Sequence, residues 1–208
     1  MIVNIIMVVF VALALALLPT FFHFAPYLAD AVFRARGSEA LEFSVRVTRD
    51  RNMFAYVLLI PAVLIMSRYR LYDPLFMQQI GDMGEGWYLL ACVGVLAAYL
   101  LVRLIIYLFL KPRRHFEYFR LAHRAIYTFF ILLMLIALPA LGLLTVVDAN
   151  DVIIRSVMYV LLVVVYFVFI IRKAQILSLT CNGLRTFLYL CALEFIPTAA
   201  LIVSAVVL

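Results

Sequence analysis

Long apolar stretches recur along most of the 208-residue chain and constrain its fold more than any other feature. The hydrocarbon core of a bilayer is about 30 Å thick and takes roughly 20 apolar helical residues to cross. Hydrophobic residues make up 69% of the chain, which leaves too little polar surface for a water-soluble globule. The sequence therefore predicts an all-α integral membrane protein in which one domain, 1–208, forms a bundle of six transmembrane helices. The predicted spans are 1–22, 53–72, 87–110, 126–147, 152–171 and 184–208.

Two of these spans need a separate argument. The second is strictly apolar only over 53–66 and crosses if it continues to residue 72, with Arg68 and Arg70 extending to the interface along their apolar stems. A half-inserted segment broken at Pro61 is the alternative. The first stretch lacks a basic leader and a small-residue cleavage site, so we interpret it as a retained helix instead of a cleaved signal peptide.

The basic residues are divided unequally between the two sides of the predicted bundle. The loops after spans one, three and five hold thirteen of the 17 Lys and Arg residues, whereas the opposite side holds Arg68, Arg70 and Arg155. The positive-inside rule then places the basic loops in the cytoplasm and both termini outside it. The net charge of +6 is therefore mainly a topology signal, and we expect no nucleic-acid partner. The thirteen are Arg34, Arg36, Arg46, Arg49, Arg51, Lys111, Arg113, Arg114, Arg120, Arg124, Arg172, Lys173 and Arg185.

Short amphipathic helices are predicted in the cytoplasmic loops. Pro26 can open one that ends near Gly37, and Ser38 can cap a second. Pro112 can start a third, which would lie along the inner leaflet before the chain turns into span four. Its basic surface would bind anionic inner-leaflet lipids, and a docking surface for a protein partner is the alternative. That surface consists of Lys111, Arg113, Arg114, Arg120 and Arg124.

Arg103 and Glu194 are ionisable residues inside spans three and six. At 1.5 Å per residue, Arg103 lies roughly 12 Å and Glu194 roughly 15 Å from the cytoplasmic ends of their spans. Because lipid rejects charge, we expect both side chains to face the bundle interior and to form a pair. Pro197 leaves the Leu193 carbonyl without its hydrogen bond and should kink span six. Helical spacing adds polar neighbours on the same two faces, namely Tyr99, Tyr107, Cys191 and Thr198.

Two interpretations of such a pair remain open, and a third possibility is that the two side chains never meet. A buried ion pair can simply fix helix packing, with little net gain in stability, because desolvation offsets the attraction. Alternatively, Glu194 exchanges protons or binds a cation at the centre of a transport site. If the pair exists, Glu194→Gln should destabilise the protein, and replacing both Arg103 and Glu194 by leucine should recover much of the loss.

Other candidate sites are weaker. Arg68, Arg70 and Asp73 form a cluster with aromatic neighbours on the charge-poor outer side, which could bind a lipid headgroup or another anion. Capping and local ion pairing are the alternative for this cluster, and Arg155 and Tyr159 indicate an interfacial edge at the start of span five. The three histidines and three cysteines show no metal-ligand spacing, and motifs for nucleotide hydrolysis, serine hydrolases and zinc proteases are absent from the sequence. We therefore expect no metal and no cofactor.

The run FLYLCALEFIP at 187–197, together with SRYRLY at 67–72 and the late third-span Arg103, resembles a Bacteroidota family of small membrane proteins. That family is catalogued as a domain of unknown function. The likeness follows most of the chain in span order, and its most specific part is the stretch near the C-terminus. The resemblance implies the inner membrane of a Gram-negative cell, and it implies no reaction.

Three function classes follow from these observations. A non-enzymatic helper or structural subunit ranks first, because few polar residues lie inside the spans; its partners would be the bilayer and a membrane protein or a second copy of the chain. A small proton- or ion-coupled carrier centred on Glu194 is the first alternative. A membrane enzyme acting on lipid substrates is the second, and we identify no catalytic residues for it.

Overall fold

The computed structural model describes residues 16, 19–23, 25–30, 45–82, 84–110, 116–178 and 183–207. The regular structure in these ranges is helical, so the predicted all-α class is confirmed. Short helical stretches cover 19–23 and 25–30. The longer elements are α1 (Val45–Arg68), α2 (Leu75–Asp82), α3 (Glu85–Leu110), α4 (Phe116–Val146), α5 (Asp151–Ser178), α6 (Gly183–Leu190), a π-helical segment (Cys191–Phe195) and α7 (Ile196–Val207).

Five helices in the described ranges are long and apolar enough to cross a membrane. They are α1, α3, α4, α5 and the continuous helix that runs from α6 through the π-helical segment into α7. The predicted first span, 1–22, lies largely outside the described residues. Five candidate spans are therefore shown, whereas six were predicted.

The helix at the second predicted span has other limits than 53–72. Helix α1 begins at Val45, ends at Arg68 and continues unbroken through Pro61, where the half-inserted alternative placed a break. The prediction began the helix too late because it excluded charged residues from the span. The buried Arg51 nevertheless lies within α1, with its guanidinium 5.7 Å from the Tyr127 ring centroid. Interaction with an aromatic face stabilises such a cation away from water.

The inner-leaflet helix predicted after Pro112 is wrong for the residues that the structure describes. Residues 116–120 form the first turns of α4 and do not turn before the span. With 31 residues, α4 is about 46 Å long at 1.5 Å per residue, so it exceeds the hydrocarbon core by roughly 16 Å. The beginning of α4 thus extends the span outward instead of lying across it. The predicted helix from Pro26 towards Gly37 is helical through residue 30, and residues 31–44, including Ser38, lie outside the described ranges.

Helix α4 is central to the packing. One face packs on α1 and another on α5, each through a cluster of buried apolar side chains. At one end of the bundle, the beginning of α4 and the end of α5 meet the last helix through Phe119, Ile176, Leu177, Leu190 and Leu193. This arrangement brings α5 and the C-terminal helix close together at the depth of Glu194.

The connection between α1 and α2 holds the opposite end together. Side chains from three other helices contact residues 69–72, which places the starts of α3 and α5 and the end of α7 at one level. Consecutive long helices therefore run in opposite directions. The hydrogen bonds are Arg155 Nε to the Tyr69 carbonyl (3.0 Å), Tyr159 Oη to the Leu71 carbonyl (2.7 Å), Tyr88 Oη to the Tyr72 carbonyl (2.9 Å) and Tyr72 Oη with Ser204 Oγ (2.7 Å).

Candidate functional site

Glu194 lies between two cations in the interior of the bundle. Its side chain has no exposed surface, and its Oε1 accepts hydrogen bonds from Arg103 Nη2 and from Lys173 Nζ. Arg103 is 2% exposed and Lys173 0% exposed. Arg103 comes from α3, Lys173 from α5 and Glu194 from the π-helical segment. We call these three residues the triad; it joins three helices through one carboxylate oxygen.

The structure brings Arg103 and Glu194 together, as the expected pair requires, and adds a partner that the sequence analysis missed. Lys173 was assigned to a cytoplasmic loop, which is wrong, because α5 continues to Ser178 and Lys173 points into the core. The error arose because span five was ended at the first charged residues. Helical spacing carried the missing signal: Phe169 at i−4 and Ile176 at i+3 from Lys173 are both buried apolar residues on one face.

An aromatic ring lies beside both cations. The Phe169 centroid is 5.9 Å from Arg103 Cζ and 5.6 Å from Lys173 Nζ. Cations at this distance from a ring face are attracted by its quadrupole, more strongly where water is excluded. Phe169 thus offsets part of the desolvation cost that burial imposes on the two cations.

The π-helical segment gives Glu194 its local geometry. The amide of Ile196 bonds the Cys191 carbonyl, five residues back, instead of the carbonyl four residues back. Pro197, as predicted, has no N–H for the Leu193 carbonyl, and the helix accommodates this loss by widening over one turn. Single π-helical turns inside α-helices occur frequently at functional sites. Glu194 therefore lies on the one irregular turn of the described C-terminal helix.

The other predicted neighbours of the pair have distinct positions. Tyr99 lines a cavity beside the triad. Tyr107 stacks on His123, with ring centroids 4.0 Å apart, and Cys191 is half-buried at the start of the π-helical segment. Tyr166, which the sequence analysis missed, donates its hydroxyl to Thr198 Oγ1 at 3.2 Å and approaches the Glu194 carbonyl at 3.4 Å.

The cavity has a volume of about 140 Å³ and lies between α3, α4, α5 and the π-helical segment. Its lining combines aliphatic and aromatic side chains with Tyr99, Arg103, Tyr166 and Glu194. Three polar atoms of the triad, Arg103 Nε and Nη1 and Glu194 Oε2, are buried and have no hydrogen-bond partner within the described part of the chain. Because an arginine and a lysine ordinarily each carry one positive charge and a glutamate one negative charge, the triad has a net charge of +1.

The predicted outer cluster is only partly assembled. Arg70 adopts a left-handed backbone conformation (φ 46°) and its guanidinium lies 5.6 Å from the Tyr88 ring centroid. Arg68 is exposed, and the Oδ1 atom of Asp73 is buried with no partner among the described residues. Arg155 and Tyr159, predicted to lie at an interfacial edge, donate hydrogen bonds to the connection between α1 and α2.

Only part of the predicted cytoplasmic basic surface can be located. Arg120 and Arg124 lie near the beginning of α4, and Lys111, Arg113 and Arg114 lie outside the described residues. Within the described ranges, no group of three or more His, Cys, Asp and Glu residues could hold a metal ion.

Residues 2–204 match the model of a family described as a domain of unknown function, DUF4271. No curated protein and no solved structure matches the chain. Because the family model covers nearly its whole length, the chain belongs to the DUF4271 family.

Proposed function

We propose that the protein is a non-enzymatic subunit of the inner membrane of a Gram-negative, Bacteroidota-type cell, and that it acts by docking another membrane helix. In this proposal the chain crosses six times, with 1–22 as the first span and both termini in the periplasm. One observation carries the proposal: a carboxylate on the C-terminal helix holds a cation from α3 and another from α5.

The low burial of α3 explains why a buried ionic contact with another helix is needed. In an apolar 18-residue window of each candidate span, 11% of the residues of α3 are buried inside the protein, compared with 22–44% in the other four spans. Few side chains of α3 are therefore fully buried, and Arg103, in the last third of the helix, is one of them. Burying charges is costly, so this contact favours a role in which the position of α3 matters. A fixed helix with a wide exposed apolar face is suited to dock a partner helix by close van der Waals packing.

The charge distribution supports the proposed orientation. Arg46 and Arg49 lie near the beginning of α1, at the end of the bundle where α3 and α5 end. Arg68, Arg70 and Arg155 lie at the opposite end. Lys173 lies inside the bundle and is removed from the thirteen residues counted above, whereas buried Arg51 is still counted with its loop. Twelve basic residues therefore remain on the proposed cytoplasmic side. The asymmetry that the positive-inside rule uses is therefore retained.

Site-specific photo-crosslinking in native membranes tests the docking proposal. A photoreactive residue replaces Leu101 on α3, and the matched control replaces Val164 on α5; the two side chains are 58% and 55% exposed. We expect a discrete protein adduct from position 101 and only lipid adducts from position 164. An adduct of two copies of the 23.8 kDa chain would identify the partner as a second copy, and another mass would identify a separate protein. The absence of any discrete adduct at position 101 would contradict the proposal.

A carrier centred on Glu194 is the second candidate, and two observations favour it. A cavity of about 140 Å³ adjoins the carboxylate, and the π-helical turn gives the C-terminal helix a point at which it can change its hydrogen bonding. Proteoliposomes that contain a pH-sensitive dye distinguish the two functions. A carrier requires proton flux above that of protein-free liposomes and loss of this flux in folded Glu194→Gln, whereas the docking subunit produces no flux.

A further inference from the structure

We propose that the cavity beside the triad binds a small monovalent anion, with the free edge of the Arg103 guanidinium as its main ligand. This site goes beyond the docking role and does not depend on it. The inference combines the charge balance of the triad, the unused hydrogen-bond donors of Arg103 and the size and lining of the cavity.

The charge balance favours an anion. Two cations, Arg103 and Lys173, face a single carboxylate, and Glu194 is the only acidic residue among the described residues that line the cavity. A surplus charge is costly in a region of low dielectric constant, and neutralising it there is correspondingly favourable. One monovalent anion would balance the triad, whereas a cation would increase the surplus.

The hydrogen-bonding inventory points to the same ligand. Arg103 uses Nη2 for Glu194, while its buried Nε and Nη1 atoms have no acceptor among the described residues. A guanidinium presents its donors in a planar fork that suits an anion. Tyr99 also lines this cavity, and a tyrosine can supply a further O–H donor.

The volume and lining restrict the class of anion. At about 30 Å³ for each water molecule, 140 Å³ holds roughly four waters, or one halide that retains part of its hydration shell. The remaining wall is apolar and includes Phe129, Phe130 and Phe169. Such a wall cannot replace the strong hydration of a divalent anion, so we expect chloride or bromide to bind in preference to sulfate.

Glu194 opposes the anion, and this opposition gives the proposal a distinctive consequence. Its Oε2 atom is buried near the cavity, so its negative charge lowers the affinity for any second anion. Neutralising it raises the formal charge of Arg103, Lys173 and residue 194 together from +1 to +2. Chloride should therefore bind about tenfold more tightly to Glu194→Gln, provided that this variant folds.

The test uses the full-length protein in detergent micelles with sodium gluconate as the background salt. Chloride is titrated at constant ionic strength, and binding is measured by chloride NMR line broadening and by the midpoint of thermal unfolding. At one hundred times the dissociation constant, we expect chloride to raise the midpoint by about 5–11 °C, because it binds only the folded protein. Sodium sulfate should raise it much less.

Two variants assign the binding to this cavity. Arg103→Lys keeps a positive charge for Glu194 but lacks the Nε and Nη1 donors, so chloride affinity should fall about tenfold or more. Lys173→Met removes the surplus positive charge with an apolar side chain of similar length, so it should weaken chloride binding by a similar factor. If Arg103→Lys does not fold, Lys173→Met alone tests whether chloride binds in this cavity. No line broadening beyond that of protein-free micelles, or equal broadening in the wild type and Lys173→Met, would overturn the proposal.

Discussion

Removing Lys173 from the triad should leave the protein at least as stable, whereas removing the charge of Glu194 should destabilise it severely. The difference follows from the arrangement of two buried cations around one buried carboxylate. Lys173→Met leaves Arg103 and Glu194 as a balanced pair. Glu194→Gln leaves both cations without a counter-charge in the interior.

The magnitudes follow from this count of charges. Breaking a buried ion pair so that one charge remains unpaired costs about 3–5 kcal/mol, so Glu194→Gln should lower the free energy of unfolding by at least that amount. Replacing buried ionic groups by well-packed apolar residues is neutral or stabilising by about 1–4 kcal/mol. Lys173→Met removes one cation of three charged groups, and we expect a change between about 0 and +2 kcal/mol.

The triad also changes the outcome of the double substitution considered in the sequence analysis. Arg103→Leu with Glu194→Leu was expected to recover much of the stability lost in Glu194→Gln. In the structure, that double variant leaves the buried Lys173 alone, so it should remain about 3 kcal/mol less stable than the wild type. Adding Lys173→Met to the double variant should recover most of this loss.

The assay is reversible unfolding in mixed micelles by increasing the fraction of sodium dodecyl sulfate, followed by far-ultraviolet circular dichroism. Arg172→Met is the matched control, because it removes a neighbouring cation of α5 that is only half-buried and donates to Gln175 Oε1. Its free energy of unfolding should change by less than about 1 kcal/mol. A loss of about 3 kcal/mol or more in Lys173→Met, or an unchanged stability of Glu194→Gln, would refute the charge count.

Three further predictions concern individual contacts. Tyr166→Phe removes the hydroxyl that donates to Thr198 and should lower the free energy of unfolding by about 1 kcal/mol in the same titration, and no loss would contradict this contact. Met77→Ala leaves a void in a fully buried position and should cost about 2–5 kcal/mol; a cost below about 1 kcal/mol would place Met77 at the surface. In a variant whose other two cysteines are replaced by serine, the buried Cys92 should react with maleimide only after unfolding, and rapid labelling of the folded protein would contradict its burial.

The approximate positions of the described spans could be predicted because hydropathy over about 20 residues is a local property of the sequence. The ends of the spans could not be predicted in this way, because a charged side chain is tolerated inside the bundle wherever a partner from another helix reaches it. Arg51 in α1 and Lys173 in α5 both lie beyond the predicted ends of their spans and are both buried. Their partners on other helices are distant from them in the sequence, so the length of the apolar run alone predicts both helices to be too short.

The candidate site was predictable to a similar extent. Depth along two helices placed Arg103 and Glu194 at one level, because the rise per residue is constant. Lys173 was missed because span five was ended too early, although the spacing of Phe169 and Ile176 indicated a buried face. The contact of Tyr166 with Thr198 depends on how two helices are rotated about their axes, which the sequence does not give. The missing amide of Pro197 indicated an irregularity, but whether a helix kinks or widens depends on its packing.

The central claim is that one carboxylate binds two cations within the bundle. Solid-state NMR on the protein in lipid bilayers tests it most directly, through the dipolar coupling between the side-chain carboxyl carbon of Glu194 and the side-chain nitrogens of Lys173 and Arg103. We predict direct transfer to both nitrogens, corresponding to N···O separations within about 4 Å. Transfer to neither nitrogen, or to Arg103 alone, would contradict the triad.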